Sequence, residues 1–155
     1  MWWRLPLKEW KAGKGQGNLK AVRRLVKAAD LPPGLLAYVE DEPAGWIALA
    51  PRAEYPRLAG SRVLKPVDDQ PVWSVTCFFI ARAHRGRGLG LALLEAAVEF
   101  ARDQRAEWLE GYPVEPRSRQ ADAFVYTGLR STFAKAGFEE VARRSPTRPI
   151  MRRKL

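Results

Sequence analysis

Hydrophobic positions change period several times along the chain, and each change marks an element. Leu19, Val22, Leu25 and Val26 recur at the spacing of one helix face, and Asn18 is placed to cap that helix by accepting from first-turn amides. Pro32-Pro33-Gly34 ends it. Residues 35–39 and 45–50 then read as strands of an antiparallel hairpin, with Glu40-Asp41-Glu42-Pro43 as the turn. Four prolines between 51 and 71 make an irregular connection. Val72 to Ile80 is a nearly continuous β-branched and aromatic run, the pattern of a strand buried on both faces. From Leu89 to about Arg105 an apolar stripe through Leu93, Leu94, Ala97, Val98 and Ala101 predicts an amphipathic helix. Trp108 to Tyr112 is a short strand stopped by Pro113, and residues 113–122 form a polar loop. A helix over 129–136 ends at Gly137, a left-handed cap, before two strands at 138–143 and 150–153. The order predicts an α/β fold with a mixed sheet.

Composition narrows the class. With 155 residues, 46% apolar and 28% charged, the chain is expected to be one folded domain over 1–155. Its net charge of +10 lies at the ends: residues 1–27 carry eight basic groups against Glu9 alone, and residues 141–155 carry six with no acid. The 113 residues between therefore sum to −3, which argues against a whole-surface nucleic-acid binder. A single Cys77 and a single His84 exclude an internal disulfide and the usual zinc clusters, so no metal is expected. No apolar run reaches the length of a membrane span, and the cytoplasm is the expected location.

The most specific feature is Arg85-Gly86-Arg87-Gly88-Leu89-Gly90, set between the apolar strand and the amphipathic helix. Glycines let the backbone turn tightly and bring its amides to an anion, and a helix start adds unpaired N–H groups and the positive dipole end. The alternate spacing of the glycines does not fit the dinucleotide fingerprint, and no Gly-Lys-Ser or Gly-Lys-Thr follows for a Walker loop.

Arg85, Gly88 and Gly90 as Arg-x-x-Gly-x-Gly, after a strand and before a helix, resemble the acetyl-CoA signature of the GNAT acetyltransferase superfamily. The resemblance runs from about Leu35 to the C terminus and includes Gly137-Phe138 after the last helix. The first 34 residues match it weakly, with Met1 to Leu5 as the remnant of a first strand. It implies a mixed, mostly antiparallel sheet with one splayed parallel pair, flanked by helices. Acetyl-CoA would enter that opening, its pantetheine pairing near Phe78, Phe79 and Ile80. The pyrophosphate would sit on the amides of Arg87, Gly88, Leu89 and Gly90, helped by Arg85 and the turn at Gly86.

The implied reaction is direct attack of an amine on the thioester, which needs orientation, removal of a proton and help for the departing thiolate. The family's usual proton donor is a tyrosine five residues before the Phe of Gly-Phe, and here that position is Phe133. Tyr126, Tyr112 and water are the alternatives for the acid; for the base, Glu110, facing the cleft in apolar surroundings, is the candidate, and His84 beside the signature reads either as a second one or as an exposed turn residue. Cys77 reads as core packing. The acceptor pocket would draw on the loops at 51–71 and 113–127 and the N-terminal helix, with Tyr55, Asp68, Asp69, Trp73 and Glu115 nearby. The expected partners are acetyl-CoA and an amine-bearing acceptor, with a homodimer allowed and no membrane. A non-catalytic acyl-CoA sensor and a basic nucleic-acid module are the competing functions.

Overall fold

The computed structural model describes residues 1–118, 121 and 124–155. β1 (Gly34–Val39) and β2 (Glu42–Pro51) form the expected hairpin, turning on Glu40 and Asp41 at φ 50° and 64°. That two-residue, positive-φ turn has the twist a hairpin needs. Pro43 accordingly belongs to β2, opposite Tyr38. β3 (Trp73–Ile80) lies antiparallel on β2, and β4 (Trp108–Gly111) lies parallel to β3. β6 (Pro149–Lys154) runs antiparallel to β4, and β5 (Glu139–Arg143) closes the edge, giving the order β1-β2-β3-β4-β6-β5. The sheet is mixed and mostly antiparallel, with β3 and β4 as its parallel pair.

One face is covered by α4 (Leu89–Asp103) and α5 (Arg130–Lys135). Leu93, Leu94, Ala97, Val98 and Ala101 of α4 are all buried, as the stripe predicts, against Ile47, Leu49 and Val75. Each buried Leu or Val contributes about 1.5–3 kcal/mol. Gly137, at φ 76°, follows α5 as the left-handed residue that turns the chain into β5.

The opposite face is covered by the N-terminal segment, and here the sequence expectations need correction. Met1 to Leu5 forms turns rather than a strand, followed by α1 (Leu7–Ala12), a helix the periodicity did not announce. α2 spans Gln16–Ala28 and starts from Gly15 at φ 76°, so Asn18 lies inside it and donates from Nδ2 to the Trp10 carbonyl at 3.1 Å. The proline-rich connection holds a 3₁₀ turn (Arg52–Glu54) and the short helix α3 (Pro56–Ala59). Tyr55, Leu58 and Leu64 of this connection join Tyr112 and Ile150 in a second apolar cluster.

β3 meets the two-face burial expected of it only in its first half: Ser74, Val75 and Thr76 are buried, whereas Phe79 is 58% exposed. The change coincides with a bulge, because Leu49 pairs with Val75 and Ala48 with Cys77, leaving Thr76 as the extra residue. β3 and β4 pair from Trp73/Leu109 to Val75/Gly111 and then part. The segment before α5 enters the gap: Phe78 N–H donates to Tyr126 O at 2.6 Å, and Val114 bonds both Gly128 O and Arg130 N–H at 2.9 Å. Among the described residues no helix is long and apolar enough to cross a membrane.

Candidate active site

The glycine turn lies where the splayed half of β3 meets α4. Gly86 and Gly88 stand at φ 74° and 82°, a conformation glycine adopts without the cost other residues meet. A Cβ at either would face open space, so the backbone conformation is what requires glycine there. At Gly90 a Cβ would stand 3.4 Å from the Ile80 side chain on the groove wall, an ordinary contact. Leu91 N–H bonds back to Gly88 O at 2.9 Å, so the amides of Leu89 and Gly90 precede the first helical bond and belong to the donors a helix start leaves over. With the helix dipole they form a cradle for an anion. Arg82 and Arg87 are exposed around it, and Arg85 folds back to donate from Nε to Ile80 O at 2.9 Å.

A groove of about 400 Å³ runs from this turn along β3. Its walls are Phe78, Phe79 and Ile80 of β3, Arg85, Gly90 of α4, and Val125, Tyr126, Gly128, Leu129 and Thr132. Phe78, Phe79, Ile80, Arg85 and Gly90 were expected here from the sequence, whereas Val125, Leu129 and Thr132 were not. The Phe78 amide, expected to be open to a ligand, is already bonded to Tyr126 O.

On the other side of the bulge lies an aromatic pocket of about 170 Å³. Trp2 and Trp3 line it together with Val22 and Leu25 of α2, Trp46 of β2, Tyr55, and Thr76, Cys77 and Tyr126. Arg4 stacks on Tyr55 at 4.5 Å and Arg57 on Trp2 at 3.7 Å, which holds the wall together through cation–π contact. Trp2, Trp3 and Trp10 stand close together in the sequence, and the fold gives the first two this wall. Cys77 is half-buried in this wall rather than in the core.

Tyr126 walls both spaces. Gly128, at φ 90°, separates it from α5, so it stands on a loop and not two turns up that helix. Burial pushes its phenol above the usual value, against the opposing charge of Arg148. The group therefore stays protonated through neutral pH and is a donor.

Glu110 and Tyr112 lie elsewhere, contrary to the expectation that both reach the cleft. Glu110 is fully buried and accepts from Arg152 Nη2 at 2.6 Å and from Tyr112 OH at 2.7 Å, with Arg52 Nη1 at 3.6 Å. Its surroundings are ionic and not apolar. Tyr112 OH also meets Ser74 Oγ at 2.9 Å, and Arg152 extends the network to Asp68 at 2.8 Å. Burial and then the Glu110 charge push the Tyr112 phenol well up. Alternation explains the placement: Leu109 and Gly111 of β4 face α4 and α5, which turns Glu110 to the other side. Phe133 is fully buried over Gly111, edge-on to Phe78 at 6.0 Å and to Phe138 at 5.0 Å. A Cβ on residue 111 would fall 2.0 Å from the Phe133 ring, so this approach requires glycine.

The other residues expected around an acceptor are dispersed. Trp73 and Asp69 line a separate 530 Å³ hollow beside Arg52, and Glu115 pairs with Arg143 at 2.6 Å. Within the 113–127 loop, residues 119, 120, 122 and 123 lie outside the described residues. Tyr55 and the N-terminal helix are the parts of that expectation found beside Tyr126.

Three solved structures share this architecture. A ribosomal-protein-alanine N-acetyltransferase from Brucella melitensis is 17% identical over 89% of this chain and 77% of its own, with a TM-score of 0.59. A GNAT-family acetyltransferase from Listeria monocytogenes is 12% identical over 94% and 80%, with a TM-score of 0.59. The PaiA N-acetyltransferase of Thermoplasma acidophilum, in complex with coenzyme A, is 16% identical over 96% and 77%, with a TM-score of 0.57. No curated protein matches the chain. The model of the acetyltransferase (GNAT) family matches residues 2–124, from the tryptophan cluster through the glycine turn to the loop before Tyr126, and the chain belongs to that family.

Proposed function

We propose that the protein moves an acetyl group from acetyl-CoA to an amine by direct attack within a ternary complex. The observation that carries this reading is Tyr126, one residue lining both the groove that starts at the glycine turn and the aromatic pocket beyond the bulge. Two reactants brought to these spaces would meet beside this residue.

The residues fit the co-substrate. Amides of Arg87, Gly88, Leu89 and Gly90 would hold the pyrophosphate, with Arg85 alongside, and the walls formed by Phe78, Phe79 and Ile80 would hold the pantetheine. The similar PaiA structure contains coenzyme A, which supports this use of the fold. The thioester supplies an activated acyl group and a sulfur leaving group. As the N–C bond forms and the C–S bond breaks, Tyr126 gives its proton to the departing sulfur and the amine nitrogen's surplus proton returns to the phenolate oxygen; burial keeps the phenol protonated at neutral pH until then. Glu110 and Tyr112, bound into the ionic network, are proposed to hold β4 against β6 and not to take part in proton transfer.

Phe133 favours one competing reading, an acyl-CoA-binding domain without transfer, because its ring is a core residue with no proton to give. A panel of primary amines assayed for coenzyme A release from acetyl-CoA separates the two. The transferase reading expects release that depends on an amine. Binding of acetyl-CoA with no amine-dependent release would establish the sensor instead.

A further inference from the structure

α2 presents three different surfaces around its circumference. Val22 and Leu25 point inward and form part of the aromatic pocket. Lys20, Arg23, Arg24 and Lys27 are all exposed, and Glu9 is the sole acid in residues 1–29. At 3.6 residues per turn, Leu19 and Val26 fall between the pocket wall at Val22 and the cations at Arg23 and Lys27. They are 41% and 53% exposed. Wall, exposed apolar flank and cations thus follow one another on a single helix.

We infer that the acceptor amine is carried on an acidic peptide segment that docks on the outer face of α2 and delivers its amine to the aromatic pocket; this rests on the transferase reading above. A pocket of about 170 Å³ has room for the end of a chain or one side chain, being smaller than the roughly 300–1,000 Å³ that takes a whole drug-sized ligand. A small amine would use the wall alone and leave the flank and the cations without a role. An extended segment with carboxylates near its amine uses all three surfaces, and its charge is drawn to this end of the molecule before contact. A nucleic-acid backbone would satisfy the cations, yet it brings no aliphatic amine to the pocket.

The test uses five-residue peptides, an amino-terminal residue with its free amine followed by four aspartates, four serines or four arginines, assayed for coenzyme A release. The KM for the aspartate peptide should be at least tenfold below that of the arginine peptide at 50 mM salt, with the gap closing at 500 mM. The triple reversal Arg23→Glu, Arg24→Glu, Lys27→Glu should raise KM for the aspartate peptide about tenfold while leaving acetyl-CoA affinity and small-amine turnover unchanged. The salt series on the unaltered protein tests the same point without substitution. Equal KM values across the three peptides would overturn the inference, as would duplex DNA inhibiting more strongly than the aspartate peptide competes. Turnover of small amines with no peptide-charge preference removes the docking face and leaves the transferase reading standing. Absence of amine-dependent release removes both.

Discussion

Phe133 and Tyr126 show how closely a residue's role depends on what surrounds it. The spacing before Gly137-Phe138 marks residue 133 as the position of the family's usual proton donor, and the sequence already shows a phenylalanine there. Only the fold shows its surroundings: the ring is fully buried over Gly111, edge-on to Phe78 and Phe138. Phe133→Tyr is therefore expected to overpack the core, lowering stability by about 1–3 kcal/mol in urea unfolding without raising the transfer rate. Glu110 was legible as a buried-strand acid but not as an ion-pair partner, because Arg152 and Asp68, 42 residues after and before it, come to it only through the sheet. Glu110→Gln should leave the Arg152 charge poorly compensated and cost about 3–5 kcal/mol of stability. Acetyl-CoA affinity, measured well below the melting temperature, should be unchanged by it.

At the scale of elements, β3, the glycine turn and α4 were readable because each depends on neighbours in sequence. A nearly continuous β-branched and aromatic run gives way to glycines at fixed offsets and then to a helical stripe. The N-terminal helices and the loop carrying Tyr126 were harder, since their positions are set by contacts with segments distant in sequence: Arg57 with Trp2, Arg4 with Tyr55, Phe78 with Tyr126. The glycine turn makes its own prediction. At Gly88 a side chain would meet open space but a strained φ, and a carboxylate there would oppose a phosphate. Gly88→Glu should weaken acetyl-CoA binding at least tenfold in titration calorimetry, with the melting temperature falling only slightly.

For the whole molecule, the two basic ends seen in the sequence turn out to be different in kind. The C-terminal one is absorbed into the fold: Arg143 pairs with Glu140 and Glu115, Arg144 donates to the carbonyls of Lys65 and Pro66, and Arg152 holds Glu110 and Asp68. In the N-terminal one Arg4 is held by Glu54 and Tyr55, while Lys8 and Lys11 of α1 and Lys20, Arg23, Arg24 and Lys27 of α2 stay exposed. This division gives stability a pH dependence. Hydrogen bonding to Arg152 holds the Asp68 carboxyl below its usual value, and Arg143 does the same for Glu140. A carboxyl whose folded pKa is depressed stabilises fully above its unfolded value, about 4, and loses that contribution as pH falls through the folded value. Thermal melts should accordingly be level from pH 7 to about 5 and fall below about 4, and Arg152→Gln should flatten that fall.

Tyr126 is proposed to give its proton to the sulfur leaving a thioester held along β3. This role is tested most directly by the rate of amine-dependent coenzyme A release at saturating acetyl-CoA in the unaltered protein and in Tyr126→Phe. The expected result is a loss in kcat of about a hundredfold or more with acetyl-CoA affinity unchanged. Equal kcat in the two proteins would contradict it.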